Sequence, residues 1–84
     1  MVNKMNYMRI LKIAGIDLAF ADRVCNTLSE ETLNRLTKVG FDRRLIVPIL
    51  RMAISDDGQI SETKINQIMD DQDLIIAMMQ RYCK

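Results

Sequence analysis

The sequence predicts an all-α fold, and three observations carry that expectation. Apolar residues recur at three- and four-residue spacing through five or six successive segments. No five-residue run alternates apolar and polar side chains between turn signals, as a half-buried strand would. Leu, Ile and Met supply most of the bulk, with no Trp and only two Phe and two Tyr, a make-up that favours helices over sheets. Eighty-four residues make one domain, 1–84, with room for a thin core.

The segment expected at the centre is Leu45-Ile46-Val47-Pro48-Ile49-Leu50-Arg51-Met52-Ala53-Ile54, the most apolar decade of the chain. As a helix it has almost no wet face, so it belongs in the middle with the amphipathic segments around it. Before it, Asn3 can cap a first helix over 4–14, with Tyr7, Ile10, Leu11 and Ala14 on one face and Met8 beside them. Gly15 is a natural stop. Asp17 can cap a second helix over 18–28, with Phe20, Ala21, Val24, Cys25 and Leu28 as its stripe and Asp22, Arg23 and Asn26 left to solvent. Either Thr27 with Glu30, or Ser29 with Glu30 and Glu31, can open a short third helix over 30–38, anchored by Leu33 and Leu36 and followed by Gly40.

Asp42 caps the central helix, 43–54. A proline inside a regular helix costs about 3 kcal/mol. Pro48 therefore predicts a kink at 44–48, or a break after which the helix restarts with Pro48 in its first turn. The kink is the favoured expectation, because Leu45, Ile46, Ile49, Leu50 and Ala53 share a face across the proline. Residues 55–59 form the clearest loop. Ser61 caps a helix over 62–70 that buries Ile65, Ile68 and Met69. Asp70-Asp71-Gln72-Asp73 either caps a separate last helix over 73–83 or is a polar stretch of one long helix. That last segment is expected to bury Ile75, Met78, Met79 and Tyr82, with Leu74 and Ile76 flanking.

Histidine is absent, which removes the commonest general base near neutral pH and the commonest metal ligand. Cys25 and Cys83 stand far apart and cannot form a structural zinc site; they read as buried thiols in a reducing compartment. No glycine-rich phosphate loop is present. Placing Gly58 at the turn glycine of an EF-hand loop puts Ala53 at the first ligand position and Lys64 at the twelfth, where a bidentate Glu is needed. Asp56-Asp57-Gly58-Gln59-Ile60-Ser61-Glu62 therefore reads as an acidic turn into a capped helix, similar to turns in small helical domains of tellurite-resistance type. No catalytic residue, cofactor or metal is expected. Uncharged apolar runs stay far short of the roughly 20 residues a bilayer requires. Ala19-Phe20-Ala21 mimics a signal-peptidase site, but Arg9, Lys12 and Asp17 break the apolar region such a signal needs. A cytoplasmic protein is the expectation.

What remains is binding. Residues 1–51 hold nine Lys/Arg against five Asp/Glu, a net +4, and residues 52–84 hold three against six, a net −3. The basic cluster Arg35, Lys38, Arg43 and Arg44 would orient a partner and speed its arrival. The chain has seven methionines, whose side chains adapt to irregular surfaces. Met5 and Met8 on the first helix and Met78 and Met79 on the last are candidate contacts. Residues 33–49 can also be laid on a helix-turn-helix, with Gly40 at the turn and Arg51 adding charge. Three features object: Leu36 where a small residue is wanted, Arg35 at an apolar place, and Pro48 in the recognition helix. A DNA-binding regulator is thus an alternative to a protein-binding one, and a structural oligomerisation module is another.

The length, the start Met1-Val2-Asn3-Lys4-Met5-Asn6-Tyr7-Met8 and the helical make-up resemble the small accessory regulators of T-even-type bacteriophages. Among these the chain looks most like the lysis-inhibition accessory proteins, the cytoplasmic antiholins. The resemblance implies a regulator that binds the cytoplasmic N-terminal part of a holin and delays hole formation. It rests on general character and assigns no residue a role.

Overall fold

A computed structural model describes residues 4–83, so the expected Asn3 cap lies outside the described residues. Among the described residues six α-helices succeed one another: α1 (Lys4–Ile13), α2 (Leu18–Thr27), α3 (Glu30–Leu36), α4 (Ile46–Ala53), α5 (Glu62–Asp70) and α6 (Gln72–Tyr82). A single 3-10 turn, Arg43–Leu45, leads directly into α4. The only extended pairing among the described residues is the isolated bridge between Ile54 and Ile60.

Local chemistry sets most of the boundaries. After α1, Gly15 at φ +100° lets the chain reverse. Its N–H bonds Lys12 O and the Ile16 N–H bonds Leu11 O, satisfying two terminal carbonyls, while Ile16 and Leu11 are both buried. Asp17 then accepts from Phe20 N at 2.8 Å and starts α2. The two helices run antiparallel, since Lys4 at the start of α1 reaches Asp22 (2.8 Å) and Asn26 (2.8 Å) toward the end of α2. Ser29, not Thr27, caps α3.

Gly40 is not the residue that terminates α3, which ends at Leu36. It occupies a later turn in which Phe41 N bonds Lys38 O, and its φ of +94° meets the requirement of a type II turn. Pro48 does not bend one continuous α-helix. Asp42 caps the 3-10 turn through Arg44 N at 2.9 Å, and α-helix begins only at Ile46, which places Pro48 in the first turn of α4. No N–H is needed there, so most of the interior penalty is avoided.

The core runs through every helix, from Tyr7, Leu11 and Val24 through Leu33, Leu36, Leu45, Ile46, Ile49 and Leu50 to Ile65, Ile68 and Met78. Burying each of the large aliphatic side chains contributes about 1.5–3 kcal/mol. α4 is central, with Ile46, Ile49, Leu50 and Ala53 buried, but it is not encircled: Arg51 and Met52 are exposed. The radius of gyration, 12.0 Å, is that of a close-packed chain of this length, about 12 Å.

α3 and α5 lie side by side and parallel. Their starts meet where Ser29 approaches Glu62, and their ends meet where Arg35 Nη2 bonds Asp70 at 2.6 Å. Ser61 caps α5, and Asp71 alone joins α5 to α6, ending one helix and capping the next through Leu74 N at 3.1 Å. The last two segments are therefore separate helices. α6 buries less than its pattern suggests: Met78 is buried, but Met79 is 45% and Tyr82 43% exposed. No helix of the described residues is long and apolar enough to cross a membrane.

Candidate functional site

Between α1 and the end of α3 lies an open groove of about 620 Å³, with Asn6, Tyr7, Arg9 and Ile10 on one side and Asn34, Arg35, Thr37, Lys38 and Val39 on the other. Helical spacing creates its first wall. Tyr7 and Leu11 turn to the core, so Asn6 and Arg9 come to one edge of the buried face and Ile10 lies beside it. The second wall exists because α3 stops at Leu36 and the chain swings outward through Thr37, Lys38 and Val39. Val39 is 96% exposed.

Two hydrogen-bonded anchors hold the walls. Tyr7 Oη donates to Asn34 Oδ1 at 2.7 Å across the groove. Burial first, then the nearby Glu30 and Cys25 side chains, raises the pKa of this hydroxyl, so it remains a donor. Arg35 donates from Nη1 to Asn66 Oδ1 (2.8 Å) and from Nη2 to Asp70 (2.6 Å), which ties the floor to α5. Among the described residues no carboxylate lines the groove. Arg9 and Lys38 sit exposed on opposite lips, and neither forms an ion pair among the described residues.

The expected basic cluster therefore divides. Arg35 and Lys38 line the groove. Arg44 is spent on Asp42, which accepts from its Nε at 3.0 Å and its Nη2 at 2.8 Å. Arg43 is exposed and belongs to the 3-10 turn instead. The methionine pairs divide too. Met78 is buried at 5% exposure, whereas Met79 is half exposed. Met5 (71% exposed) and half-buried Met8 border a shallow apolar depression with Leu18, Arg9 and Lys12. A further shallow depression joins Met52 on α4 to Leu74, Met78 and Tyr82 on α6. Sequence reasoning missed Arg9 and Val39, the first because nothing local links it to α3, the second because a β-branched residue reads as core.

Three carboxylates have pKa values lowered by local hydrogen bonds. Asp42 is held well below the usual carboxylate range by the Arg44 side chain first, then by the Cys83 thiol and the Arg44 backbone. Asp57 is lowered by the Ser55 hydroxyl and Gln59 N–H inside the acidic turn. Glu62 is lowered by the Ser29 hydroxyl, the Thr32 hydroxyl and the Ser29 N–H. A carboxylate poised as a general base is tuned upward toward neutrality, opposite to all three. The thiols are half-buried rather than buried. Burial raises Cys25, and the bond to Asp42 followed by burial raises Cys83, so neither is an activated nucleophile. Among the described residues no three His, Cys, Asp or Glu side chains are placed to hold a metal ion. Comparison with protein-family models, with curated proteins and with solved structures returns no match.

Proposed function

We propose that this protein is a non-catalytic regulator that acts by binding another protein through the groove between α1 and α3. One observation carries the reading: two cations without ion partners among the described residues, Arg9 and Lys38, flank an apolar strip that includes Ile10 and the fully presented Val39. An apolar strip with a charged rim is the make-up of a protein interface, the strip giving affinity and the rim orientation. Duplex DNA would use the cations but gains little from the strip. The helix-turn-helix alternative also needs α4 to present its outer face to bases, and α4 is the helix most sunk in the core. In its narrower form the proposal takes up the resemblance to the phage lysis-inhibition proteins: a cytoplasmic chain that binds the cytoplasmic N-terminal part of a holin.

The test is titration of the purified cytoplasmic holin segment into the wild-type chain and into Arg9→Glu/Lys38→Glu. Lysis timing in infected cells expressing each chain is measured in parallel. Binding by the wild type, its loss in the double variant and a matching loss of lysis delay are expected. No binding and no delay with the wild type would remove the holin form of the proposal. Binding unaffected by the double variant would remove the groove. A second reading, self-association, is favoured by Met52, Ile76, Met79 and Tyr82, each between 43% and 52% exposed. It predicts a melting temperature that rises with protein concentration.

A further inference from the structure

We infer that the partner element taken by the α1–α3 groove is a short acidic amphipathic helix, with one apolar face and carboxylates flanking it. The inference rests on the protein-binding reading of that groove and goes on to name its occupant. Charge complementarity selects the sign. Arg9 on α1 and Lys38 beyond α3 stand on facing lips, no carboxylate lines the space between them, and neither cation is neutralised by a neighbour among the described residues. A segment bearing carboxylates on both sides of an apolar stripe can meet both lips at once, and a basic segment would be repelled from both.

Shape selects the form. The groove is open and its exposed surface is mostly apolar, with α1 as one wall and the end of α3 and the non-helical segment after it as the other. Its α1 wall, residues 6–10, spans about 6 Å of helix rise, roughly one turn, so an incoming helix engages one or two turns. An amphipathic helix seated in a groove anchors through apolar residues at i, i+3 and i+4. Val39 and Ile10 are the surfaces those anchors would cover. The walls are pre-set by the Tyr7–Asn34 bond and by the Arg35 bonds to α5, so the site needs little reorganisation on binding.

The experiment is fluorescence polarisation with three labelled helical peptides of equal length: one acidic with an apolar stripe, one basic with the same stripe, and one acidic with the stripe scrambled. A labelled DNA duplex is the fourth ligand. The acidic striped peptide should bind, and weaken about tenfold in Arg9→Glu/Lys38→Glu. It should weaken comparably in Val39→Asp, and between about 0.05 M and 0.5 M salt. All three substituted positions are exposed, and circular dichroism with thermal melting checks that the variants stay folded. Equal binding of the basic striped peptide, equal binding of the scrambled acidic peptide, preference for the duplex, or no binding of any peptide would each overturn the inference. Those outcomes leave the protein-binding reading standing if the groove variant still loses a natural protein partner. If the acidic striped peptide binds and no natural partner depends on the groove, the occupant's chemistry stands and that reading falls.

Discussion

Glu62 shows how one side chain can join two elements. In a capping box the residue three places after the cap reaches back to the cap N–H. In α3 that place holds Thr32, too short to do so, and the missing carboxylate arrives from the first turn of α5. One oxygen, Glu62 Oε1, accepts from Ser29 N at 3.0 Å, from the Ser29 hydroxyl and from the Thr32 hydroxyl at 2.6 Å, while Asn66 Nδ2 donates to Thr32 Oγ1 at 3.0 Å. Thr32, the one buried polar residue among those described, is thereby satisfied. Glu62→Ala should cost about 1–2 kcal/mol, lowering the melting temperature by about 4–8 °C for each kcal/mol lost. The pH dependence has a definite sign. The folded carboxyl is more acidic than the unfolded one. Its contribution is therefore complete above the unfolded value, roughly 4.3, and is lost as pH falls through the folded value. Urea unfolding of wild type and Glu62→Ala at about pH 7 and about pH 3 should show the gap between them narrowing in acid. A gap that stays constant would mean the carboxylate charge is not what joins the helices. The same logic makes Cys25 and Cys83 slow to react with a disulfide reagent near neutral pH in the folded chain and fast once urea unfolds it, because both thiols are shifted away from thiolate.

At the scale of elements, Pro48 separates two pictures of the central helix. Were it in the interior of a continuous α-helix from residue 43, Pro48→Ala would restore a backbone bond and stabilise by up to about 3 kcal/mol. In the first turn of α4 it sits where no N–H is needed, and the change should move stability by less than about 1 kcal/mol. Chemical denaturation at equal protein concentration distinguishes the two. Ile49→Ala, in the same helix but fully buried, should cost about 2–5 kcal/mol and supplies the contrast. These elements are legible in the sequence because what starts and stops them is local. Asp17, Ser29, Asp42, Ser61 and Asp71 cap within three residues of themselves, and Gly15 reverses the chain on its own. The proline misleads for the same reason: five apolar residues share a face whether the helix is continuous or begins again as a 3-10 turn gives way. The exposure of Met79 and Tyr82 is not legible either, since periodicity gives the apolar face of α6 but not how far the rest of the fold extends to cover it.

For the whole molecule, what the sequence hides is pairing across long separations. Arg35 reads as part of a basic patch, but its partners Asn66 and Asp70 come from α5, and Arg9 and Lys38 line one groove only because the fold brings α1 beside α3. The same pairings set an order of stability. α4 packs along α5, the 3-10 turn before it packs on α6, and four of its eight residues are buried. Releasing α4 would open the core from both sides, so its amides exchange only when the whole chain unfolds. α6 is held by one buried residue, Met78, with Leu74, Ile75 and Cys83 half-buried. It can lift away while α4 and α5 keep their contact. Native-state hydrogen exchange should therefore find the slowest amides at residues 50–53, past the first turn of α4. The amides of α6 should exchange in a separate opening that costs less than global unfolding and responds weakly to urea, because little surface is exposed. Met78→Ala should lower the cost of that opening while leaving the exchange order of α1 to α5 unchanged. If α6 instead exchanges in step with α4 across urea concentrations, the six helices form one cooperative unit and α6 is held by more than its few buried contacts.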